Sequence, residues 1–199
     1  MSDVFTDLYA PGSMWGDGSG GGPDPQNAAA YVAFLYGFLA GLKPATVLDI
    51  GCGDGRIAGA INWQGAHYIG IDVAQPALDL FRRWSGKMET AGSVEYWQAD
   101  ALVDPLPDAD LVICREVLQH IPKSDARRII ERLRWYPQIL HCSALTNRIN
   151  GDVVTGWCRG VDLSLPPFSL PVETVFRYRM FAVEYICQVW RPGARCVSA

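Results

Sequence analysis

None of the six cysteines, at 52, 114, 142, 158, 187 and 196, stands in a C-x-x-C pair. The chain therefore shows neither a zinc motif nor a disulfide framework, and two of these thiols sit in or beside expected central strands, where small buried thiols are ordinary. Basic residues are outnumbered, 17 against 21 acidic, for a formal charge of -4. A general nucleic-acid binder needs a basic face to meet phosphates, so that class is excluded. The one concentration of base, residues 123–134 with Arg127, Arg128, Arg132 and Arg134, reads as the solvated face of a helix. Uninterrupted apolar length is missing too. The longest apolar stretch, residues 28–42, is broken by Tyr31, Tyr36, Gly37 and Gly41, which points to a packed helix and not a membrane span. The first residues, MSDVFTDLYAPGS, carry acids where a secretory signal carries bases, so a cytoplasmic location is expected. No G-x-x-x-x-G-K-[ST] phosphate loop occurs, and the third glycine of a G-x-G-x-x-G dinucleotide turn is replaced by Arg56.

What is present is an abrupt change of texture at residues 47–56, VLDIGCGDGR. Val47, Leu48 and Ile50 suit a strand buried on both faces, and Gly51, Gly53 and Gly55 allow a sharp turn with close backbone approach to a ligand. Such a junction presents N–H groups beyond the carboxyl end of a strand, where open α/β sheets bind nucleotide-like ligands. Asp49, just before the turn, would repel a pyrophosphate but would accept hydrogen bonds from a cationic amino group. That favours a nucleoside bearing an amino acid.

The rest of the chain, 199 residues with 49% hydrophobic and 19% charged side chains, is sized for one domain. After a helix at 26–42 the pattern alternates. Strands are expected at 46–50, 67–71, 93–98, 110–114, 138–145 and 183–190, with helices at 56–63, 75–84 and 123–135. Alternation of this kind implies right-handed crossovers and a mostly parallel sheet with helices on both faces. The second strand ends at Asp72, 23 positions after Asp49 and near the ~20-residue interval of a ribose-gripping acid. The third ends at Ala99 and Asp100, and the fourth, DLVIC, runs into REVLQHIP.

Taken together, these four strand ends resemble the class I S-adenosylmethionine-dependent methyltransferases. The resemblance implies a Rossmann-like three-layer α/β sandwich whose sheet has seven strands, or six, in the order 3-2-1-4-5-7-6, with an antiparallel C-terminal strand. It implies that Asp49, Gly51, Cys52, Gly53 and Gly55 hold the methionine part of S-adenosylmethionine. Asp72 and Val73 would take the ribose, and Asp100 and Ala101 the adenine, with Arg115 and Trp15 as further cofactor contacts. The residues by themselves leave two rivals: a protein of the same fold that binds without transfer, and a nicotinamide-dependent oxidoreductase.

Methyl transfer requires alignment, exclusion of water and, for a hydroxyl acceptor, removal of a proton. His120 is the histidine placed to be that base, because His67 starts a strand and His141 lies within one; Glu116 is the second catalytic candidate. The Asn/Asp-Pro-Pro-aromatic sequence of enzymes acting on adenine or glutamine nitrogen is absent after strand four, where Cys114, Arg115, Glu116 and Val117 stand. The expected acceptor is the oxygen or nitrogen of a small molecule or a saccharide, with no metal, bulk nucleic acid or membrane involved. Residues 1–24, rich in glycine, form a lid or a leader to a single methyltransferase domain at 25–199. Residues 146–172 lack the helix usual in the family, and they are the expected substrate loop, with Asn147, Arg148 and Asp162 as acceptor contacts.

Overall fold

The computed structural model describes residues 2–10, 12–15, 18–146 and 149–193. Helix α1 (Ser2–Leu8) precedes α2 (Ala29–Leu42) and a seven-stranded sheet. The strands are β1 (Thr46–Ile50), β2 (His67–Asp72), β3 (Ser93–Gln98), β4 (Leu111–Arg115), β5 (Ile139–Leu145), β6 (Val172–Met180) and β7 (Val183–Trp190). Helix α3 (Gln75–Ser85) joins β2 to β3, and α4 (Lys123–Leu133) joins β4 to β5. The sheet order is β3-β2-β1-β4-β5-β7-β6. Strands β1 to β5 pair in parallel, while β7 runs antiparallel between β5 and β6. This is the expected Rossmann-like α/β sandwich.

The two faces of the sheet follow from side-chain alternation along the central strands. Val47, Leu111 and Ile113 point to a core filled by Tyr31, Leu35 and Leu39 of α2 and Phe81 of α3. Leu48, Ile50, Val112 and Cys114 point to the other, filled by Ala126, Ile129, Ile130 and Leu133 of α4. Among the described residues no helix is long and apolar enough to cross a membrane.

Three expectations are corrected. In place of a helix at 56–63 there is one 3-10 turn, Ala58–Ala60. Gly55 is left-handed at φ 78°, which delays any helix start. The Trp63 indole then donates to the Ala58 carbonyl at 2.9 Å and its backbone N–H donates to Thr90 Oγ1 at 2.9 Å, turning the chain toward β2. Second, the glycine-rich lid or leader expected at 1–24 is partly helical, since it contains α1. Third, β6 lies where no strand was expected. Glu173, Arg177 and Arg179 interrupt its apolar pattern because it is an edge strand with one solvated face. A two-residue turn, Phe181 and Ala182, both at positive φ, makes β6 and β7 a hairpin.

Candidate active site

The parallel register sets Ile50 beside Ile71 and Cys114, and Asp72 beside Gln98, so four strands end along one edge. The glycine turn begins there. Gly51 and Cys52 donate their N–H groups to the Ile71 carbonyl at 2.8 and 3.1 Å, folding the turn back over β2. At Gly53 (φ 61°) a Cβ would lie 2.6 Å from Ser19 Oγ, so no larger residue fits between the turn and the N-terminal segment. The edge opens into a cavity of about 150 Å³.

Most of the expected site residues meet in that cavity. Trp15, Asp49, Gly51, Cys52, Gly53, Asp72, Val73, Asp100, Ala101 and Arg115 line it, and so do Glu116 and His120. Gly55 does not. It packs on the Phe81 ring, where a Cβ would approach to 2.6 Å, so its glycine is explained by helix packing. Asp162 also lies apart from the cavity, because its carboxylate is used by Ser164 (N–H 2.9 Å, O–H 2.6 Å) and by the Gln188 amide (2.8 Å). Asn147 and Arg148 lie outside the described residues.

The cavity is acidic at its base. Burial pushes the Asp49 carboxyl up to about 7, although the Tyr68 hydroxyl donates to it at 2.8 Å and Arg115 is near. Burial likewise pushes Asp72 up to about 6, against the N–H groups of Ala74 and Gly53, each 2.9 Å from it. Each carboxylate is thus short of compensating positive charge. Arg115 is paired with Glu116, lies 5.0 Å over the Tyr31 ring and donates to the Gly22 carbonyl at 3.1 Å. Burial opposes its charge, yet the Glu116 carboxylate keeps it a firm cation. Its buried Nε has no hydrogen-bond partner among the described residues. The turn at Glu116 is left-handed (φ 57°), an uncommon geometry for a residue with a side chain.

Residues that the sequence did not single out close the cavity from above. Phe5 of α1 and Tyr9, just past its end, line it, with Trp15 set edge-on to Tyr9 (5.5 Å) and to His120 (5.5 Å). The Tyr9 hydroxyl meets Ser19 Oγ at 2.5 Å, and Ser19 exchanges two hydrogen bonds with Asp54 (2.9 and 3.0 Å). Arg56 reaches the Gly20 carbonyl at 2.8 Å. The i, i+4 pair of aromatics in an otherwise polar leader was the available signal.

His120 is largely desolvated, and burial lowers its pKa. Its Nδ1 lies 3.1 Å from the Trp157 carbonyl and its Nε2 3.2 Å from the Gln119 amide nitrogen. Arg159, 0% exposed, donates to the carbonyls of Ile121 (2.6 Å) and Leu118 (2.9 Å), clamping the loop after β5 onto the His120 segment.

Acids at or near the ends of β1, β2 and β3 surround a glycine turn in a Rossmann-like sheet of this order. Residues 47–136, a little under half of this chain, match the family model described as a methyltransferase domain. Among curated relatives, the ubiquinone biosynthesis O-methyltransferase of Pseudomonas fluorescens (strain SBW25) is 40% identical over 87 residues, 42% of this chain and 35% of that protein. The enzyme of the same name from Alkalilimnicola ehrlichii is 35% identical over 85 residues, 42% and 34% of the two chains. The chain spans about a third of the length of these relatives. In fold it is similar to the magnesium protoporphyrin IX methyltransferase of Synechocystis PCC 6803 solved with bound S-adenosylhomocysteine. That likeness has a TM-score of 0.65 and 15% identity, covering 94% of this chain and 93% of the other.

Proposed function

We propose that this chain transfers a methyl group from S-adenosylmethionine to an oxygen, or less favourably a nitrogen, of a small molecule or saccharide in the cytoplasm. The observation that carries the reading is the convergence of Asp49, Asp72 and Asp100 with Arg115 and His120 on one cavity at the strand edge. The donor set fits the cofactor: two buried carboxylates suit an ammonium group and a ribose diol, and the buried Arg115 Nε, which has no hydrogen-bond partner among the described residues, suits a carboxylate. Partial relatives named O-methyltransferases favour oxygen as the acceptor atom.

When bound, S-adenosylmethionine supplies a sulfonium methyl whose carbon–sulfur bond breaks toward sulfur as the bond to the acceptor forms. The protein's tasks are then physical. Asp49 neutralises the amino group, Asp72 takes the ribose hydroxyls, and Asp100 with the Ala101 N–H reads the adenine. Phe5, Tyr9 and Trp15 act as a lid that excludes water, which strengthens every charge interaction beneath it. His120 Nε2 accepts the proton that an acceptor hydroxyl loses, and Glu116 balances the imidazolium so formed. Residues 146–172 supply acceptor contacts.

Isothermal titration tests the reading directly. S-adenosylhomocysteine should bind at micromolar concentration, and Asp72→Ala should weaken it at least about tenfold, since two hydrogen bonds to a charged group are lost. Absence of binding to the unmodified protein would refute the cofactor assignment.

A further inference from the structure

We propose that Gln119 is a positioning residue for His120. It fixes the imidazole as the neutral tautomer that carries its proton on Nδ1 and its lone pair on Nε2, and it braces Glu116 with the same amide. The use of that lone pair in proton removal rests on the methyl-transfer reading above; the tautomer itself does not.

The orientation of the Gln119 amide is settled by what faces its oxygen. Gln119 is 2% exposed, and its Oε1 accepts from Ser143 Oγ at 2.9 Å and from the Ala144 N–H at 3.2 Å. A backbone N–H donates only, so the atom facing it must be the oxygen. The NH2 group must then lie on the opposite side, where its neighbours are His120 Nε2 at 3.2 Å and Glu116 Oε2 at 3.5 Å. An N–H aimed at Nε2 requires a lone pair there. From the other side of the ring, the Trp157 carbonyl at 3.1 Å requires a proton on Nδ1. Two independent constraints, one from β5 and one from the loop after it, select the same tautomer.

The same arrangement resists protonation. An imidazolium would set two N–H groups face to face at Nε2, and the amide cannot rotate to relieve this without turning its NH2 onto the Ala144 N–H. The charged groups acting on the ring divide: Glu116 favours the imidazolium and Arg159 opposes it, while Trp15 offers an aromatic edge. Gln119 thus keeps the ring in its proton-accepting form until an acceptor hydroxyl takes the place of the amide N–H at Nε2. As the acceptor oxygen gains its methyl group, its O–H bond breaks and the proton passes to Nε2. The displaced amide keeps its hydrogen on Glu116.

The test is nitrogen-15 NMR of histidine-labelled protein, free of cofactor and acceptor, with the His120 signals assigned by their loss in His120→Asn. Long-range proton–nitrogen correlations should show a protonated Nδ1 and an unprotonated Nε2 at neutral pH. In Gln119→Met, of similar bulk, both tautomers should appear and the titration midpoint of His120 should rise by at least about 0.5 pH. Ser143→Ala, which loosens the amide anchor and leaves the amide in place, should move both readouts the same way by less, and it stands in if the first variant does not fold. A proton on Nε2 in the unmodified protein would overturn the proposal. So would a tautomer and midpoint unmoved in the folded variant. Because no methyl transfer is measured, failure here leaves the activity reading intact, and an inactive protein with the stated tautomer would fail only that reading.

Discussion

His120 is the residue at which chemistry and geometry meet most tightly. It lines the cavity beside Glu116, packs edge-on to Trp15 and is held at both ring nitrogens. If it is the base, His120→Ala should lower kcat with a hydroxyl acceptor by about 10²–10⁴-fold while leaving S-adenosylhomocysteine affinity within about twofold, since positioned general bases contribute that much. Single-turnover kinetics alongside titration separate the two. An undiminished kcat would move the role to Glu116. At this scale the sequence was informative where backbone and charge place a residue at a strand end, as at Asp49, Gly53 and Asp72, which all reach the cavity. It misled where a side chain's partners come from distant segments. Asp162 reads as a pocket acid until Gln188 of β7 is seen to hold it, and Gln119 carries no signal until Ala144 of β5 is placed against it.

Elements transmit these constraints. Among its described residues the loop between β5 and β6 lacks regular structure, yet it is fastened through Arg159, whose guanidinium satisfies two carbonyls of the segment that carries His120. Arg159→Met would leave those acceptors buried and unpaired, at about 1–3 kcal/mol each. A loss of about 3 kcal/mol is therefore expected in urea unfolding, together with a fall in kcat as His120 loses the Trp157 carbonyl. Normal stability would show that the loop is held by its apolar residues, Val161 and Leu163. Composition could not reveal this. A buried arginine inside a proline- and glycine-bearing loop looks like a surface residue until topology folds the loop back over the end of β4. The same holds for the N-terminal segment. Its glycines suggested a cover, but its anchors, Ser19 on Asp54, Gly20 on Arg56 and Gly22 on Arg115, depend on where the glycine turn lies in space. The helix expected at 56–63 failed for a local reason: a left-handed Gly55 and a tryptophan tied to Ala58 leave room for one turn.

For the whole molecule, the buried acids couple stability to ligand and pH. The central sheet was legible because β1 and β2 are apolar runs ended by glycine and by an acid and β4 is an apolar run ended by Arg115, and the edge strand β6 was not, because its outer face is charged. In that sheet Asp49 and Asp72 titrate at about 7 and about 6, well above the 3.8 of a free aspartate. Between pH 4 and 7 the folded protein therefore holds protons that the unfolded chain has released, and by linkage its stability falls as pH rises through that window. His141, buried and lowered to about 4, works the other way between pH 4 and 6.5, as does His120, also lowered by burial, so the decline is partly offset. The ligand reverses the balance, because an ammonium group on Asp49 and ribose hydroxyls on Asp72 favour the ionised acids. The gain in melting temperature on adding saturating S-adenosylhomocysteine should consequently be larger at pH 7.5 than at pH 5.5, even as the ligand-free protein melts lower at the higher pH. Differential scanning calorimetry at both pH values, repeated with Asp49→Asn, decides it. The variant should lose most of the pH dependence of the gain, and an equal gain at both pH values in the unmodified protein would show that binding releases no proton from these acids and would overturn the coupling.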